Sequence, residues 1–134
     1  MDEAMTTLAT AVLKAEYDTL APDKSEVRLL TAMARGSMAH FRLRPGLVSR
    51  AVYHRTVEEL WYFTAGKGQM WRKIGGEEVI VDVHAGVSIS IPVGAAFQFR
   101  SDGDTALEFV GVTMPPWPGA EEAVFTVGAW VPTA

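Results

Sequence analysis

The sequence predicts an all-β fold, an antiparallel sandwich or barrel. Short runs rich in Val, Ile, Phe, Tyr and Trp, separated by Gly, Pro and Asp breaks, fill most of the chain. The connections between these runs are two to six residues long, too short for crossover helices between parallel strands. Only the first segment has helical spacing. With 134 residues the chain makes one domain, and it can bury a core without a disulfide.

Residues 1–24 are expected to form an N-terminal helical segment and residues 25–134 the β domain. Met5, Leu8, Ala9 and Val12 recur at three- and four-residue spacing, and Asp2 and Glu3 stand where a helix dipole favours anions. The stretch from Ala21 to Ser25, with its Pro22 and Asp23, reads as the turn that ends this helix. Strands are expected at 27–34, 38–44, 48–54, 59–64, 68–74, 78–83, 87–91, 96–100 and 106–114. In the second of these, Ala39, Phe41 and Leu43 share one face, and His40, Arg42 and Arg44 share the other. Pro92-Val93-Gly94 and Ser101-Asp102-Gly103-Asp104 carry turn chemistry. Pro115 to Gly119 cannot continue a sheet, because each Pro lacks the ladder donor, so a stiff surface crossing is expected there. An edge strand is expected within Val124–Trp130.

The chain has no cysteine, which excludes disulfides, Cys-based zinc sites, iron–sulfur clusters and thiol nucleophiles. Any metal would have to be held by its 3 His, by Asp or Glu, or by weaker oxygen donors. The net charge of -4 argues against a groove that neutralises phosphates, so no nucleic-acid partner is expected. No apolar run is long enough to span a membrane, and the start Met1-Asp2-Glu3 is acidic where a secretory signal is basic. A soluble cytoplasmic protein is the expectation. No nucleophile elbow, phosphate loop, dinucleotide fingerprint or His-Glu-x-x-His motif appears.

Two stretches carry more information. The first contains Pro45-Gly46, then His54, Glu59 and Gly66, with six residues between the last two. The second contains Gly86, five residues, then Pro92, Gly94 and Phe97, with Ser101 beyond. Together these resemble the paired motifs of the cupin superfamily, of the small single-domain kind. The resemblance implies a double-stranded β-helix, the cupin jelly-roll barrel, with the short helix at its N-terminus. It also implies a homodimer, for which the apolar edge of Val27–Leu30 and the Trp-rich tail are interface material. A divalent transition metal, held by two His and a Glu of the first motif and a His of the second, is the cofactor that the resemblance implies.

The ligand set departs from that pattern. Phe97 stands where the second motif has its His, and the first motif keeps one His. If the connection before Glu59 is one residue longer than usual, His54 and Val52 occupy the two His places. If it is not, Tyr53 and Arg55 do, and His54 faces the other way, since a one-residue slip flips every side chain. The longer connection is favoured, because it keeps Arg55 out of a dry barrel. His54, Glu59, Trp61 and Phe63 then face inward. His54 and Glu59 become the polar groups of a small-molecule pocket inside the barrel, with Trp61, Phe63, Phe97, Gln98 and Phe99 around it. His54, Glu59 and Tyr53 are the candidate catalytic groups. His54, Glu59 and His40, or Gln98 in place of His40, are the candidate metal ligands. A binding protein of unassigned ligand is the leading reading. A metal-dependent isomerase, lyase or dioxygenase, or a metal-free acid–base enzyme resembling sugar-nucleotide epimerases, is the alternative.

Overall fold

The computed structural model describes residues 8–134. The strands are β1 (Thr19–Leu20), β2 (Glu26–Met33), β3 (Gly36–Leu43), β4 (Val52–His54), β5 (Glu58–Ala65), β6 (Lys67–Ile74), β7 (Glu77–His84), β8 (Ser88–Ile91), β9 (Ala96–Asp102), β10 (Leu107–Met114) and β11 (Ala123–Phe125). They form two sheets, ordered β1-β2-β3-β10-β5-β8 and β11-β4-β9-β6-β7. Every pairing is antiparallel. The chain switches sheets repeatedly, which is the double-stranded β-helix arrangement of a jelly roll.

Alternation drives the packing. In β5, Glu59, Trp61 and Phe63 are buried, while Glu58, Leu60, Tyr62 and Thr64 are exposed. In β10, Leu107, Phe109, Gly111 and Thr113 turn inward. Phe63, Phe97, Phe99, Phe109, Leu43 and Met70 fill the space between the sheets with essentially no exposure. The indole of Trp61 stacks on Phe109 at 3.9 Å between centroids and meets Phe97 and Phe99 edge-on at 5.4 and 5.3 Å. This aromatic block closes one end of the barrel and leaves the other end open.

The expected N-terminal helix does not form over residues 8–18, and residues 1–7 lie outside the described residues. Leu8, Val12 and Leu13 are exposed, so no core face exists for a short helix to pack on, and a short isolated helix is marginal in water. The segment is instead laid along β2. Arg28 donates to the Lys14 and Ala15 carbonyls, Asp18 Oδ2 accepts from Leu29 N–H, and β1 then joins the sheet. Within residues 8–24 the end of the segment, Thr19–Leu20, is a strand of the larger sheet.

The expected strand 48–54 is regular only from Val52, with a lone bridge between Val48 and Arg100. Arg50 N–H donates to the Asp23 carbonyl rather than to a neighbouring strand. In the tail only Ala123–Phe125 pairs, antiparallel to β4. Residues beyond it fold back over the outer face of β9, where Gln98 holds Trp130 from both sides.

Candidate functional site

The connection Arg55-Thr56-Val57 between β4 and β5 decides what faces the barrel. It is held from outside by Glu122, in a 3-10 turn at Ala120–Glu122. The Glu122 carboxylate accepts from the N–H groups of Thr56 and Val57 and from the Thr56 hydroxyl. Burial works against ionisation of Glu122, but these three donors outweigh it and hold the carboxyl below its ordinary range. Val57 fills the core, Arg55 stays in solvent, and His54 and Glu59 both turn inward. That is the geometry of the longer connection.

His54 Nδ1 lies 2.8 Å from Glu59 Oε2, and both side chains are buried. The ring N–H misses the oxygen in angle, so each of these atoms lacks an aligned hydrogen-bond partner. Trp61 Nε1 donates to the other carboxylate oxygen at 3.2 Å. Phe97 and Trp117 flank the imidazole edge-on at 5.2 and 5.0 Å. The two motifs meet here, since Gly94 N–H donates to the His54 carbonyl and Val52 pairs with Phe97.

This pair sits in the wall of a cavity of about 400 Å³ that opens between β2, β3 and the Pro115–Gly119 crossing. Its lining is mostly apolar, with Val27, Leu30, Phe41, Trp61 and Phe97 among the walls. The polar groups are His54, Glu59, Asp23, Ser37, Thr113 and Thr19. Ser37 and Thr113 share a hydrogen bond of 2.5 Å between hydroxyls, and Ser37 Oγ also accepts from Trp117 N–H. Asp23 is buried, and its Oδ1 accepts from both the N–H and the hydroxyl of Ser25. Burial pushes the Asp23 carboxyl above its ordinary range. The Ser25 bonds pull it down, the Glu59 charge adds to the rise, and His54 opposes it.

The sequence-expected residues divide. His54, Glu59, Trp61 and Phe97 line the cavity. Phe63 and Phe99 stand behind them in the core. Gln98 faces the opposite side of β9, where its amide donates to the Ser49 and Trp130 carbonyls and accepts from Trp130 N–H. Tyr53 turns away from its buried neighbours Val52 and His54. His40 faces away from Phe41, buried on the outer side of β3, with Nε2 3.0 Å from Glu108. Burial lowers the His40 pKa, and Glu108 works against that. Strand alternation separates His40, Gln98 and Tyr53 from the His54–Glu59 pair. Sequence reasoning missed Asp23, because Asp in a Pro-containing turn is ordinary turn chemistry. It also missed Trp117, which the proline crossing folds back over the opening.

The metal implied by the resemblance does not fit these residues. Val52 and Phe97 hold two of the four ligand places, and neither can ligate. Among the described residues no three His, Asp or Glu side chains converge as a metal requires. Among the described residues no helix is long and apolar enough to cross a membrane.

Comparison with known proteins agrees with this architecture. No curated protein matches the chain. Among solved structures, it is similar to an uncharacterized conserved protein with a double-stranded β-helix domain from Klebsiella pneumoniae. That likeness has TM-score 0.64 and 14% identity, over 88% of this chain and 90% of the other. It is similar to oxalate decarboxylase from Bacillus subtilis, with TM-score 0.71 and 16% identity, over 92% of this chain. It is also similar to the capsular polysaccharide assembling protein CapF from Staphylococcus aureus, with TM-score 0.65 and 17% identity, over 87% of this chain. The chain spans only 34% and 32% of the length of the last two. At these identities the likeness shows the fold. A family model described as the cupin domain matches residues 39–113, just over half the chain and both motifs. The chain belongs to the cupin domain family.

Proposed function

We propose that this cupin binds a small organic molecule inside its barrel, with His54 and Glu59 as the polar groups that orient it. The cavity carries the reading. About 400 Å³ of mostly apolar space, with a few convergent polar groups, is the usual form of a small-ligand site. Oxalate, named for the Bacillus neighbour, is a dianion and suits this lining poorly, since no Lys or Arg among the described residues faces the cavity. The His54–Glu59 contact also suits general acid–base work on a bound molecule. In that reading both groups act without Tyr53, which faces the other way. In solution the chain is a homodimer in this proposal, joined along the part of β2 beyond its pairing with β1, where Leu29 and Met33 are exposed.

The test is titration with the neutral dye N-phenyl-1-naphthylamine. Saturable binding of one dye per chain, lost in Ala39→Trp and in Ala32→Phe, supports the cavity as the site. Both alanines line it. Absence of saturable binding, or binding indifferent to both substitutions in folded variants, overturns the proposal.

A further inference from the structure

We propose that the ligand of this cavity is an organic cation, an ammonium group on an apolar body, held by the carboxylates of Glu59 and Asp23. The inference rests on the cavity being a ligand site and names the charge of what enters it. Two carboxyl groups line the cavity against one imidazole, and among the described residues no Lys or Arg reaches it. An anionic ligand would shed its water beside two carboxylates with only His54 in opposition. A neutral ligand would leave the carboxylates uncompensated. A cation compensates them.

Two further observations point the same way. Glu59 is buried, and its Oε2 has no aligned hydrogen-bond partner although it lines the cavity. It therefore keeps accepting capacity that an ammonium N–H can fill. Around the carboxylates stand the rings of Phe41, Trp61, Phe97 and Trp117. Aromatic faces attract a cation and offer nothing to an anion. Asp23 and Glu59 line the same cavity, and the Glu59 charge contributes to the upward push on the Asp23 carboxyl. Asp23 lies before the first motif and Glu59 within it, so only the folded barrel brings them together. The cation is organic, because most of the remaining lining is hydrocarbon and, among the described residues, no three His, Asp or Glu side chains converge as a metal ion needs.

The experiment uses the full chain and three compounds of one shape, namely 3-phenylpropylamine, 3-phenyl-1-propanol and 3-phenylpropionate, followed by calorimetry at neutral pH. The amine is expected to bind at least about tenfold more tightly than the alcohol, with the carboxylate weakest. Glu59→Gln and Asp23→Asn should each shrink the preference for the amine over the alcohol to less than about threefold. Asn at position 23 keeps an oxygen for the Ser25 donors, so that variant is expected to fold. Equal binding of amine and alcohol, or preference for the carboxylate, overturns the cation and leaves the cavity proposal standing. Failure of all three while N-phenyl-1-naphthylamine binds does the same. Failure of the dye as well overturns both.

Discussion

Gly111 is the position where one methyl group tests the packing of the site. It pairs with Trp61 across β10 and β5, on the inner face. A Cβ there would lie 3.0 Å from Phe41 Cε2, 3.1 Å from Trp61 Cδ1 and 3.2 Å from Trp61 Nε1. Both rings border the cavity, but moving either one gives up stacking on Phe109. Trp61 is stacked on Phe109 with its plane tilted by 16°, and Phe41 stacks on the same ring at 4.9 Å. Overpacking of this kind costs about 1–3 kcal/mol. Replacing Gly by Ala recovers roughly 0.5–1 kcal/mol by restricting the unfolded chain. Gly111→Ala should therefore lose about 1–2 kcal/mol net, a fall of roughly 4–8 °C in Tm. The displaced indole should also lose its bond to Glu59 Oε1, which is already 3.2 Å long. Urea unfolding followed by circular dichroism gives the first quantity, and tryptophan emission of the folded protein reports the second. A variant as stable as the parent, with unchanged emission, would refute the packing argument and the rigidity of the aromatic block.

Removing the Glu122 carboxylate leaves Thr56 N–H and the buried Val57 N–H without acceptors, so Glu122→Ala should lose about 2–4 kcal/mol. The variant should also weaken dye binding, because the His54–Glu59 pair depends on this connection. Unaltered urea stability would show that water replaces the carboxylate. The pH response follows from two groups. Burial lowers the His40 pKa, so the unfolded chain takes up that proton first, and stability falls as pH drops below the ordinary imidazole range. Glu122 titrates below its ordinary range, and its contribution is present above that range and disappears as pH falls through the folded value. Asp23, raised by burial, works in the opposite direction, so Asp23→Asn should make the acid loss steeper. Melting curves from about pH 8 to about pH 4 read these slopes, and a flat profile counts against all three assignments. Gln98→Ala removes the two hydrogen bonds to Trp130 that fasten the tail, and limited proteolysis should then cut beyond Phe125. Protection equal to the parent would assign the tail's anchoring to its other contacts, namely the Thr126, Thr133 and Ala134 N–H bonds to Ala51 and Val48 and Arg100 over the Trp130 ring at 4.8 Å.

Local signals carried most of the architecture. The β5 run from Glu58 to Ala65 alternates so strongly that its inner and outer faces are legible residue by residue. Gly66 is likewise legible, as a turn glycine with φ 78° whose Cβ would strike the Ala106 carbonyl at 2.2 Å. The motif spacing around Glu59, Gly66, Pro92 and Gly94 identified the family, whereas the direction of His54 hung on a one-residue choice that only the cost of burying Arg55 favoured. The N-terminal spacing of Leu8 and Val12 was equally local and misled, because periodicity predicts a helix only where a core face waits to receive it. His40 and Gln98 looked available as ligands for a similar reason: their donor chemistry is visible in the sequence, whereas the sheet face each points to is not.

By itself, then, the amino-acid order determined an all-β cupin barrel, the absence of thiol chemistry, and a carboxylate at the head of an alternating apolar strand, and it left the direction of the neighbouring imidazole between two registers. Those properties depend on composition, alternation and turn chemistry, all of which act within a few residues. Only the tertiary structure decided that Asp23 and Trp117, from opposite ends of the chain, complete the cavity. It alone placed Glu122 beneath the loop that presents His54, and Gly111 beside the indole of Trp61. Contacts between residues that far apart depend on sheet order and on how the segments flanking the barrel fold back, and no short stretch of sequence encodes either.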